Sequence, residues 1–147
     1  MAPLPSSVLF ACTFNSIRSP MAEALLRHLW RQRIFVQSVG VRAGDLDPFA
    51  VAVMDEIGIS IEGHLPQSFE DLHDSSFDLI VSLSPEAQHS AVELTRTMAC
   101  EVEYWPTLEP SIVEGNRETR LDAYRAVRDQ LIKRIEKRFP PPLRPEV

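Results

Sequence analysis

The chain predicts an α/β domain, a four-stranded parallel sheet with helices on both faces. Three observations carry this expectation. Short apolar runs alternate with longer stretches of helical periodicity along the whole chain, the pattern of strand–helix–strand units. The first run, Val8-Leu9-Phe10-Ala11, is continuously apolar, as suits a strand buried on both faces of a parallel sheet. Ser19-Pro20, Asp47-Pro48 and Ser84-Pro85 each place a capping oxygen before a proline at the first helical position.

In order, residues 6–11 read as the first strand. Residues 20–33 read as a helix, with Met21, Leu25 and Leu29 at four-residue spacing and Ala22, Leu26 and Trp30 beside them. Ile34 to Val41 is the second strand. Asp47-Pro48 opens a second helix through Val51, Met54 and Ile57, and Gly58 stops it. Residues 59–76 are irregular, with one helical turn near Phe69–Leu72. Asp78 to Leu83 is the third strand, and Ser84-Pro85 starts a helix to about Met98. Glu101 to Trp105 is a short fourth strand. Residues 106–118 form a loop carrying two prolines and Gly115. A last helix spans about 119–138, with Leu121, Tyr124, Val127, Leu131 and Ile135 on one face. One domain is expected over 1–139, and 140–147 is a proline-rich tail whose P-x-x-P, Pro142 to Pro145, is read as incidental. Four such strands suit the flavodoxin-like order 2-1-3-4, with the functional crevice at the carboxyl ends of the strands beside strand 1.

Composition narrows the function. A net charge of −6 argues against a nucleic-acid surface, which needs a basic face. No run approaches the ~20 apolar residues of a membrane span, and the N-terminus lacks a secretory signal. Two cysteines, at 12 and 100, make no disulfide framework, so a cytoplasmic, reduced location is the default. The histidines at 28, 64, 73 and 89 show no ligand spacing, and neither a metal nor another cofactor is assigned. The sequence leaves the oligomeric state open.

Chemistry concentrates after strand 1, in Cys12-Thr13-Phe14-Asn15-Ser16-Ile17-Arg18-Ser19-Pro20. Five residues between Cys12 and Arg18 suffice to wrap a loop around one tetrahedral oxyanion, with the N–H groups of Thr13, Phe14, Asn15, Ser16, Ile17 and Arg18 converging on it. The helix expected from Ser19 adds positive potential at the same spot. Those donors favour the Cys12 thiolate, and the Arg18 fork matches phosphate oxygens. Transfer of a phosphoryl group to Cys12 requires an acid for the leaving oxygen. Candidates on the same sheet edge are Asp45, Asp47, Glu86 and Glu109, with Asp47 better read as a helix start.

The run C-T-F-N-S-I-R-S-P after an N-terminal strand resembles the low molecular weight protein tyrosine phosphatases, and equally the arsenate reductases that share their fold. The resemblance implies that Cys12 is the nucleophile and Arg18 the phosphate clamp. It implies that Asn15 holds the loop conformation and that the Ser19 hydroxyl assists the thiolate. It implies an acid in the loop after strand 4, where the family's Asp-Pro is matched by Glu109-Pro110. Phe14 stands where a glycine is common, so a positive φ there would be costly. Ile17 replaces a second loop cysteine, and Ser111 stands where phosphotyrosine-specific members place a tyrosine.

The expected activity is metal-independent hydrolysis of phosphomonoesters through a phosphocysteine. The substrate is left open between a phosphotyrosine protein, phosphoarginine and a small phosphate ester. One alternative is arsenate reduction. Thioredoxin-coupled reductases carry further cysteines at and after strand 3, where this chain has V-S-L-S-P; a glutathione-coupled variant is the remaining form. The other alternative is an inactive phosphate-binding module.

Overall fold

The computed structural model describes residues 4–73 and 76–141. Strands β1 (Ser7–Cys12), β2 (Phe35–Gly40), β3 (Leu79–Ser82) and β4 (Glu101–Tyr104) alternate with helices α1 (Arg18–Trp30), α2 (Pro48–Asp55), α3 (Pro85–Leu94) and α4 (Arg117–Arg138). All pairings are parallel and the order is β2-β1-β3-β4, as expected from the sequence. The tail segment from 142 onward, with its P-x-x-P, lies outside the described residues.

The two-residue pleat of β1 divides its side chains between two cores. Val8, Phe10 and Cys12 face a large cluster built with Met21 and Leu26 of α1, Val53 and Met54 of α2, and Tyr124 and Leu131 of α4. Leu9 and Ala11 face a smaller one with Ala87 and Ala91 of α3. Helices therefore cover both faces, three on one side and one on the other. Leu9 and Phe10 are fully buried, and truncation of either to Ala is expected to cost about 3–4 kcal/mol.

α2 ends at Asp55 and α3 at Leu94, short of the expected Ile57 and Met98, and both ends of α1 differ from the sequence reading for a physical reason. α1 begins at Arg18, with Ile17 at its N-cap and no capping side chain. Ser19 is thus inside the first turn rather than at the cap, which frees its hydroxyl for the contacts described below. The same helix ends at Trp30, where Arg31 takes φ 52° and a short 3-10 turn over 31–33 follows. The other proline-led helices start as read. Asp47 accepts from the Phe49 N–H at 2.8 Å and Ser84 from the Ala87 N–H at 3.2 Å. No helix among the described residues is long and apolar enough to cross a membrane.

Candidate active site

Cys12 is the last residue of β1, and the chain turns through residues 13–17 into α1. The turn is held by its carbonyls. Those of Cys12, Thr13, Phe14 and Ser16 accept from the N–H groups of Val41, Arg42, Gly44 and Asp47 at 3.0, 2.9, 2.9 and 3.2 Å. With these carbonyls directed outward to the loop after β2, the N–H groups of residues 13–17 have no acceptor among the described residues. Such a run of free donors is an anion-binding concavity. The close approach demands a glycine at the end of β2. A Cβ on Gly40 would lie 2.4 Å from the Arg42 carbonyl oxygen and 2.7 Å from the Asn15 nitrogen.

The left-handed residue of the loop is Asn15, at φ 55°, and not Phe14. Asparagine tolerates this region better than most residues, so the phenylalanine in place of glycine carries no backbone strain. The Phe14 ring points outward, half-exposed, with the Arg42 guanidinium 5.9 Å from its centroid.

The Asn15 side chain is fully buried and organises the floor of the loop. The Gln67 backbone N–H donates to its Oδ1 at 2.9 Å, which fixes the orientation of the amide. Nδ2 then donates to the hydroxyls of Ser19, at 2.8 Å, and Ser38, at 2.9 Å. His64 Nε2 lies 2.9 Å from the same Oδ1 and must donate, because that oxygen only accepts. With its oxygen serving as acceptor for Asn15, Ser19 can direct its own proton to Cys12 Sγ, 2.8 Å away. The Ser38 hydroxyl donates to Glu23 Oε1 at 2.5 Å, and Glu23 is paired with Arg27 at 2.7 Å. Burial pushes the His64 imidazole below its usual pKa, with Glu23 acting against that shift.

Arg18 is 5% exposed. Its Nη1 donates to the Thr107 carbonyl at 3.0 Å, its Nη2 meets Glu109 Oε2 at 2.9 Å, and its Nε is buried with no partner among the described residues. A buried guanidinium N–H without an acceptor is costly and fits an oxyanion held beside it. Glu109 Oε1 accepts from the Ser111 hydroxyl at 2.8 Å and from its N–H at 3.4 Å. The other candidate acids are placed elsewhere. Asp47 is engaged by the Phe49 N–H and by the Tyr124 hydroxyl at 2.8 Å, Glu86 pairs with Arg42 at 3.3 Å, and Asp45 is exposed. Only Glu109 of the four touches Arg18 among the described residues.

Cys100 precedes β4 and is half-buried, and burial pushes its thiol pKa up. The register sets Leu79 against both Val8 and Glu101, so Cys100 lies level with Ser7. That is five residues along β1 from Cys12 and two strands across, about 16 Å by about 10 Å. A disulfide requires Cα atoms within about 7 Å, so the fold keeps the two thiols apart.

Sequence reasoning put forward Cys12, Arg18, Ser19, Asn15 and Glu109; the structure joins Cys12, Ser19 and Asn15 by hydrogen bonds and Arg18 to Glu109 by an ion pair. It missed Ser38, His64, Gln67 and Glu23. Ser38 had a signal, a lone hydroxyl inside the apolar stretch of β2. His64 and Gln67 fall in an irregular segment and had none.

A thiol beneath a cup of backbone donors, closed by an arginine at the switch point of a parallel sheet, can hold a tetrahedral oxyanion against sulfur. The chain belongs to the low molecular weight phosphotyrosine protein phosphatase family, whose model matches residues 7–139. It is similar to the glutaredoxin arsenate reductase of Synechocystis sp., with 32% identity over 130 residues, 88% of this chain and 92% of that protein. It is 34% identical to the arsenate reductase of Shouchella clausii, over 88% of this chain and 92% of that one. Among solved structures it resembles the low molecular weight protein tyrosine phosphatase from T. tengcongensis, with TM-score 0.74 and 26% identity, covering 89% of this chain and 95% of that one. It also resembles an arsenate reductase in its phosphate-binding state, with TM-score 0.69 and 29% identity, over 89% and 94% of the two chains.

Proposed function

We propose that the protein is a metal-independent phosphatase that hydrolyses phosphomonoesters through a phosphocysteine at Cys12. One observation supports this most: Cys12 Sγ, the outward-bonded loop and the unpartnered Arg18 Nε converge on one site. The phosphoryl group binds with its oxygens on the N–H groups of residues 13–18 and on Arg18. The Cys12 thiolate, steadied by the Ser19 hydroxyl, attacks phosphorus opposite the ester oxygen. As the S–P bond forms, the P–O bond breaks and Glu109 gives its proton to the leaving oxygen. The Glu109 carboxylate then takes a proton from the attacking water, the S–P bond breaks, and phosphate leaves with the thiolate restored. Charge developing on the equatorial oxygens is stabilised by preorganised donors.

A second reading is favoured by the relative from Synechocystis sp., named a glutaredoxin arsenate reductase. In this reading Cys12 attacks arsenate in the same cup. Cys100 lies too far away to relay electrons, so the reducing thiol comes from outside the chain. The two readings, and that of an inactive phosphate-binding module, separate in one experiment. Hydrolysis of p-nitrophenyl phosphate in the presence of chelator, lost in Cys12→Ala, is expected. Arsenate-dependent consumption of glutathione without ester hydrolysis would select the reductase. Phosphate binding without either reaction would select the module.

A further inference from the structure

We propose that Ser111 is the positioning residue for Glu109, fixing which carboxyl oxygen delivers the proton. This rests on the phosphatase reading. Both donors of Ser111, the hydroxyl at 2.8 Å and the N–H at 3.4 Å, converge on Oε1 of Glu109. Oε2 is left to face Arg18 Nη2 at 2.9 Å. The two oxygens are thereby made unequal. A carboxylic acid carries one O–H, and an oxygen that already accepts two donors is the poorer place for it. In the acid form the proton resides on Oε2, the oxygen that faces Arg18. When substrate oxygens take the Arg18 fork, Oε2 is released from its ion pair, the carboxylate takes up a proton from solvent, and that proton meets the leaving oxygen.

The clamp also answers the choice of glutamate. Glutamate has one more rotatable bond than aspartate, and freezing it costs conformational entropy. Pro110 starts a short 3-10 turn over Pro110–Ile112 with Glu109 at its N-cap. That turn brings the Ser111 N–H and hydroxyl back onto the preceding carboxylate. The longer acid is held at one end by its own neighbour and at the other by Arg18. A side chain without a hydroxyl at 111 leaves only the longer N–H contact, and the carboxyl can rotate.

The test compares phenyl phosphate, whose leaving group requires the proton, with p-nitrophenyl phosphate, whose leaving group requires it much less. Ser111→Ala is expected to lower kcat/KM for phenyl phosphate about tenfold and for p-nitrophenyl phosphate less than about twofold. Ser111→Thr, which keeps the hydroxyl, is expected to restore wild-type values. In a Glu109→Gln background Ser111→Ala is expected to have no further effect, because the group it positions has no proton to give. Equal losses on both esters, or a loss that persists undiminished in Glu109→Gln, would show a structural role and overturn the proposal. Failure of the wild type to hydrolyse either ester would remove the phosphatase reading and this proposal together. An unaltered ester ratio in an active Ser111→Ala would remove the proposal alone.

Discussion

The loop after β1 and the loop after β4 are joined by the Arg18–Glu109 ion pair, yet they are held in different ways. The first is pinned from behind, by four outward carbonyls and by a buried amide with four partners. The bonds that set its shape are all made within the chain. The second, over residues 105–113, is tied to the sheet by the Trp105 and Thr107 N–H groups at 2.8 and 3.1 Å. At its tip, Glu109 reaches the first loop through Arg18 itself, with a side chain about a quarter exposed. Under the proposed function one loop is preorganised for an oxyanion. The other is docked onto Arg18, the residue that an oxyanion would have to claim, so that binding and acid placement would be linked there.

The largest expected effect comes from removing what pins the first loop. Asn15→Ala leaves the Gln67 N–H, the His64 N–H and the Ser19 and Ser38 hydroxyls short of a partner in a buried place. Orphaned buried groups cost about 1–3 kcal/mol each, so Tm is expected to fall by roughly 10 °C. Turnover should drop by more than about 100-fold as the donors lose their alignment. Calorimetric melting together with p-nitrophenyl phosphate kinetics checks both, and a near-wild-type result would mean that the two loops are equally loose.

A smaller, selective effect is expected in the second loop. Glu109→Gln should lower kcat/KM for phenyl phosphate about 100-fold while leaving Tm within about 2 °C of wild type. It should also tighten inorganic phosphate about fivefold, since a carboxylate no longer competes for Arg18 or repels the anion; that is about 1 kcal/mol. Isothermal titration gives the affinity. Weaker phosphate binding in this variant would break the link between the loops.

The mildest effect concerns His64. Its folded pKa lies below that of the unfolded chain because burial disfavours the imidazolium. Between the two values the unfolded chain binds the extra proton, so this contribution is present above about pH 6.5 and is lost as pH falls through the folded value. A His64→Gln variant, which keeps an N–H donor for Asn15, should show a flatter dependence of Tm on pH between 7 and 5 than wild type. Identical slopes would remove His64 from the pinning of the loop.

The same contrast explains what was legible in the sequence. The first loop is local. Cys12, Arg18 and the proline-led helix lie within nine residues, and apolar runs either side fix the strand and sheet order. The proline at 20 suggested a cap at Ser19, but the helix begins two residues earlier and turns that hydroxyl to Cys12. The supports of the first loop come from far along the chain, from Ser38, His64 and Gln67, and long-range hydrogen bonding leaves no spacing pattern. In the second loop the position of Glu109 was readable beside Pro110, whereas its pairing with Arg18, 91 residues away, and its clamp by Ser111 follow from packing alone.

The central claim is that phosphorus passes through sulfur at Cys12. Glu109→Gln, slowed in water activation, is mixed with p-nitrophenyl phosphate, quenched in acid within a turnover and digested for mass spectrometry. The peptide carrying Cys12 is predicted to gain one phosphoryl group, absent without substrate and absent in Cys12→Ala, which should also show no turnover. A phosphoryl group on any other residue, or hydrolysis that survives Cys12→Ala, would contradict the account.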